Sequence, residues 1–139
     1  MTPALAAQAK RLVEAEAGDA SSAAHVAGAA VRACEKLTTH VARLLGHAGI
    51  RTLLDRALAL TRKSFPWIAS IGPGTGESRW APLHASLLGT DPATGLAAFS
   101  MFIATFVELF GRLIGEPLVV RLLHEIWPEI FIGASKEST

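Results

Sequence analysis

Apolar residues recur along this chain at alternating spacings of three and four, the period of a helix face, in segment after segment. Leu5, Ala9, Leu12 and Val13 form a thin first stripe, opened by Thr2 as cap and Pro3 at the first helical position, and stopped by Gly18. A longer helix is expected from about residues 19–22 to Gly46. Ala30, Cys34, Leu37, Val41, Leu44 and Ala48 line its apolar seam, and Arg32, Lys36, Thr39, Arg43 and His47 lie opposite. Gly46 and Gly49 punctuate it, and a third helix from about Ile50 to Phe65 carries Ile50, Leu54, Ala57, Thr61 and Phe65, widened by Leu53 and Leu58. So short a connection predicts an antiparallel helical hairpin. Phe65-Pro66 ends the third helix, since a residue before proline is pushed out of the helical region.

An irregular Gly/Pro stretch at about 66–82 follows, then a short helix from Pro82 to Leu88 stopped by Gly89. Asp91 and Pro92 open the most apolar helix, with Leu96, Phe99, Ile103, Phe106, Phe110 and Leu113 as its seam and Phe102 and Leu109 widening it. Gly115 breaks it, Glu116-Pro117 restarts it, and Val119, Leu122, Leu123 and Ile126 face inward up to Trp127. Only 67–71 and 130–132 read as strands, and both are very short. The pattern therefore predicts an all-α bundle of five to six helices with one long Gly/Pro loop at about 66–82. It forms a single domain over 1–134 with a polar, disordered tail at 135–139.

Composition sharpens this picture without redirecting it. Half of the 139 residues are hydrophobic, and the excess is largely Ala and Leu, both strong helix formers. A chain of this length hides roughly two-thirds of its unfolded surface and needs no disulfide or metal to be stable. Cys34 is the single cysteine, so a reducing, cytoplasmic setting is expected, with the thiol acting as a small hydrophobe. The N-terminus lacks the basic start and apolar run of a signal peptide. The longest uncharged run, Pro92 to Val107, would reach about 24 Å as a helix, short of a roughly 30 Å hydrocarbon core. It is read as a buried central helix and not as a membrane span.

The formal net charge of +1 makes no case for nucleic acid as partner. Its distribution is uneven, with a balance of +5 over Arg32–Lys63 and −3 from Ser64 onward. A solvated helix face accounts for that split, and complementary surfaces of a homo-oligomer are the sharper reading.

Motifs with chemistry are few. Ile71-Gly72-Pro73-Gly74-Thr75-Gly76-Glu77-Ser78 has the look of a phosphate-binding loop, but Ile71 stands where a glycine is required and Glu77 where the phosphate-contacting lysine is required. A carboxylate there repels the ligand. His40 lies on the polar flank of the long second helix with Arg43 three residues on, an arrangement that resembles the histidine phosphotransfer modules. Those carry a lysine at the second place and a glycine after it, where this chain has Leu44. His40 and His47 would stand about 10.5 Å apart along one helix, too far to share a metal ion, and no metal or other cofactor is expected. No nucleophile stands beside a base, so a catalytic role is not expected.

The aromatics offer the best pointer to a site. Phe65, Trp67 and Trp80 flank the irregular loop, His84 follows it, and Trp127 closes the last helix. Together they form a candidate groove for a ligand or partner. On the sequence alone the favoured function is a non-catalytic interaction or regulatory module, associating with itself or with another protein. Second stands a sensor or carrier with an apolar small molecule in a pocket near 66–82. Third is phosphotransfer through His40 and Arg43. A sizeable cavity reached by Trp67 or Trp80 would separate the second from the first, which calls for a flat apolar patch.

Overall fold

The computed structural model describes residues 3–18, 21–74 and 76–128. Among them it contains five α-helices, one 3₁₀ turn and no strand: an all-α bundle. The cap expected at Thr2, the strand option at 130–132 and the tail at 135–139 lie outside the described residues. The other strand option, 67–71, is irregular backbone.

Helix α1 (Pro3–Ala17) ends where Gly18 takes a φ of 61° and its N–H bonds back to the Glu14 carbonyl at 3.0 Å, the left-handed stop that glycine permits. Helix α2 (Ala23–Thr61) starts at Ser22, whose hydroxyl accepts from the His25 N–H at 3.1 Å. Ala27, Ala29, Ala30, Ala33 and Cys34 are fully buried, and their small side chains let neighbouring helices approach closely.

Gly46 divides α2 into two arms, 23–45 and 47–61, with φ 77° and ψ 164°, a conformation only glycine adopts without strain. Gly49, by contrast, stays inside the helix. The chain bends sharply there, enough to bring the two arms to one cavity. Thr38, eight residues before Gly46, and Leu54, eight after it, wall the same cavity. On a straight helix they would stand about 24 Å apart.

The reversal alters two expectations. Leu44 belongs to the apolar seam by spacing but is 50% exposed, because it occupies the last turn before the chain swings away; Ala48, just beyond the break, is exposed for the same reason. The second arm ends at Thr61 and not at Phe65. Pro66 has no N–H to satisfy the carbonyl four residues earlier, so the chain loosens into tighter turns beforehand, Lys63 N–H to Leu60 and Ser64 N–H to Thr61. The Arg62 side chain then holds the loop, donating to the Ile68 carbonyl at 2.9 Å and to the Ser70 hydroxyl at 2.8 Å.

A 3₁₀ turn (Glu77–Trp80) leads into α3 (Ala81–Leu88), and Asp91 opens α4 (Pro92–Ile114) by accepting from the Thr94 N–H at 3.0 Å. Those bonds to the carboxylate hold the Asp91 carboxyl below its ordinary range. Helix α4 is the hub of the bundle, packed against α2 most extensively and also against α1 and α5. Phe99, Phe102, Ile103, Phe106 and Phe110 are fully buried on it. Its length and apolarity would suffice to cross a membrane, but here its aromatic face is the centre of the core. Leu113, expected in that seam, is 60% exposed because it lies in the final turn, beside the Gly115 break at φ 92°. Helix α5 (Glu116–Ile126) returns with Val119, Leu123 and Ile126 inward.

Glu16, at the end of α1, ties three helices together. Its carboxylate is largely buried and lies 2.8 Å from Lys36 Nζ, and Lys36 in turn sits 5.6 Å from the ring centroid of Trp127.

Candidate functional site

The fold-back at Gly46 and the crossing of the 66–82 loop leave a half-enclosed cavity of about 240 Å³ between them. Ala48, Ile50 and Leu54 come from the second arm of α2, Thr38 from the first, and Ile71, Gly74, Arg79 and Trp80 from the loop and its 3₁₀ turn. The walls are mostly apolar, and the charged lining residues are Arg51 and Arg79, joined by His47. Among the described residues no carboxylate lines the cavity.

Arg51 explains why the loop lies where it does. Its guanidinium donates to the carbonyls of Gly72 at 2.6 Å, Gly74 at 2.8 Å and Ile71 at 3.4 Å, and sits 3.7 Å from Asp55 one helical turn on. The glycine-rich segment thus turns carbonyl oxygens toward a cation, the opposite polarity to a phosphate cradle, which presents N–H groups. Gly74 is the position that needs glycine, with a φ of 86°. At the loop's other end, the Gly72 N–H closes onto the Arg79 carbonyl at 2.7 Å, and a side chain at Gly72 would press against that same oxygen.

Two residues of the lining keep a polar atom buried without a hydrogen bond, the Thr38 hydroxyl and the Trp80 indole N–H, and both atoms are sealed from the cavity as well as from bulk solvent. Their residues are 7% and 3% exposed, so water reaches neither freely. An unpaired buried group of this kind costs about 1–3 kcal/mol, and Gln8 and Trp127, away from the cavity, each bury one as well. Arg79 stacks on the Trp80 ring, 4.6 Å from its centroid. Cys34 is fully buried, its thiol pushed up to about 12 by burial first and the Glu35 charge second, with the positive charge of Arg79 opposing both. Such a thiol is inert at neutral pH.

Of the five residues proposed from sequence as a groove, only Trp80 lines the cavity. Phe65 and Trp67 pack edge-to-face at 6.0 Å on the neighbouring stretch of the loop, and both are half-buried against the core. His84 lies half-buried on α3. Trp127 is buried against Lys36, two residues and so about 200° around α2 from Thr38, on the far side of that helix from the cavity. His40 is half-buried, and its Nδ1 lies 2.8 Å from the Lys36 carbonyl. A carbonyl only accepts, so Nδ1 is the nitrogen that donates. Arg43 is exposed nearby, as is Leu44. Among the described residues no three His, Cys, Asp or Glu side chains converge as a metal site.

Compared with protein-family models, with curated proteins and with solved structures, the chain matches none.

Proposed function

We propose that this protein is a small-molecule sensor or carrier, holding an apolar ligand in the cavity between α2 and the 66–82 loop. The observation that carries the reading is the cavity itself: about 240 Å³ and apolar-walled, with Arg51, Arg79 and His47 among its lining residues. Binding pockets are mostly apolar with a few well-placed polar groups, and this one has that character at the small end of the usual size range.

The sequence alone ranks a self-associating interaction module first. The order is reversed here because the cavity gives the second reading a physical site, whereas the exposed large hydrophobics among the described residues, Leu44, Leu88, Met101 and Leu113, come from three different helices. No catalytic role is proposed, since the lining pairs no nucleophile with a base.

Thermal denaturation in the presence of toluene tests the reading. A ligand that binds only the native state raises the melting temperature in step with its concentration. Toluene is expected to do so for the native chain and not for Ala48→Trp, which plugs the cavity from an exposed position. Equal behaviour of the two proteins would sink the proposal.

A further inference from the structure

We infer that the ligand of this cavity is a compact, singly headed molecule of about ten non-hydrogen atoms, its hydrocarbon body inward and its one polar group at the end that stays at the mouth. The inference rests on the proposal that the cavity binds a small molecule and adds the ligand's chemical class and the way round it sits.

Burial sorts the lining into a floor and a mouth. Ile50, Leu54 and Ile71 are buried, whereas His47, Ala48 and Gly74 are exposed. A ligand therefore enters between the start of the second arm of α2 and the loop, and its leading end meets the aliphatic side chains of the floor. An apolar cavity of about 150 Å³ accepts benzene, so about 240 Å³ accommodates roughly ten heavy atoms.

No polar side-chain group further in is available to that leading end. The Thr38 hydroxyl and the Trp80 indole N–H are sealed from the cavity, so these two side chains present only carbon to it. All three guanidinium nitrogens of Arg51 already face acceptors: Nη1 the Gly74 carbonyl, Nη2 the carbonyls of Ile71 and Gly72, and Nε the Asp55 carboxylate. The same bonds occupy the loop carbonyls of Ile71 and Gly74. Arg79 lies on the Trp80 ring and has a further interaction within the chain. A hydroxyl carried inward sheds its water and gains no partner, a loss of about tenfold or more in affinity. At the mouth it keeps its water, beside the exposed imidazole of His47.

The test places one hydroxyl at two positions on molecules of this size. Butylbenzene and 3-phenylpropan-1-ol differ by hydroxyl for methyl at the chain end. The compounds sec-butylbenzene and 1-phenylpropan-1-ol differ by the same exchange in the middle of the molecule. By calorimetry on the full chain, the inner hydroxyl is expected to cost at least about tenfold more affinity than the terminal one. Comparing the two exchanges cancels the intrinsic polarity of the hydroxyl, and it asks nothing of a variant that has to fold. A smaller difference overturns the assignment, because the walls then do offer the inner hydroxyl a partner; the pocket stands if Ala48→Trp abolishes binding of all four. Binding that survives Ala48→Trp lies elsewhere and overturns the assignment too. If none of the four binds while toluene still stabilises the protein, the size and class fall and the pocket stands. If toluene has no effect either, both fall.

Discussion

Two regions of this small bundle were built on opposite terms. Around α4, Phe99, Phe102, Phe106 and Phe110 meet α1, α2 and α5 and are shut off from solvent, with Phe106 and Phe110 tilted against each other at 5.6 Å. Around Gly46 and the 66–82 loop the same chain leaves a cavity and an arginine wrapped in backbone carbonyls. Both regions use helices of similar propensity. What differs is regularity: a seam of aromatics at helical spacing fills its own space, whereas a reversal followed by a long loop cannot. Native interiors pack like organic crystals, so a gap of this size points to a use other than stability.

That contrast can be broken by substitution. Phe106→Ala should cost about 3–5 kcal/mol in urea unfolding, since it opens a new void in a close-packed wall. Leu54→Ala should cost less, about 2–3 kcal/mol, because it enlarges a space that already exists. Equal losses would mean that the two regions are packed alike. Gly46→Ala should cost about 1–3 kcal/mol. Nothing lies within 4 Å of the added methyl, so any loss comes from the backbone angle alone.

Thr38→Val sharpens the contrast from the other side. Removing a buried hydroxyl that has no partner should leave unfolding free energy unchanged or raise it by up to about 1 kcal/mol. A clear loss of stability in the ligand-free protein would show that the hydroxyl is satisfied after all. The smallest effect concerns Asp91. Its folded carboxyl titrates below the ordinary 3.8, so its contribution is complete above that pH and is lost as pH falls through the lower folded value. Melting curves taken below pH 3.8 should therefore decline slightly less for Asp91→Asn, which keeps the cap without the charge.

The legibility of the sequence follows the same divide. Helix α4 could be read almost residue by residue, because its cap at Asp91, its stop at Gly115 and its phenylalanine spacing all depend on local rules. The break was legible from Gly46. The cavity was not: Thr38 and Leu54 reach the same space only after the bend at Gly46, and the spacing of Arg51 and Asp55 suggests no more than an i,i+4 pair. Nothing local to it announces the three carbonyls that it gathers from 20 or more residues away. Trp80 was found because a tryptophan beside a Gly/Pro stretch is conspicuous. Trp127 was conspicuous for the same reason, yet it lies across α2, since rarity marks a residue without telling which way its helix faces.

Gly46 also governs how many chains a folded unit contains. Were its backbone to relax to helical angles, α2 would become one rod of about 58 Å, far too long for its two arms to remain in the same bundle. Helix α1 and the first arm would then leave the loop, α3 and α4, and each half would find its complement only on another molecule. The product is a domain-swapped dimer in which every interface of the monomer is rebuilt between two chains. A single left-handed glycine is what keeps the cavity a property of one polypeptide.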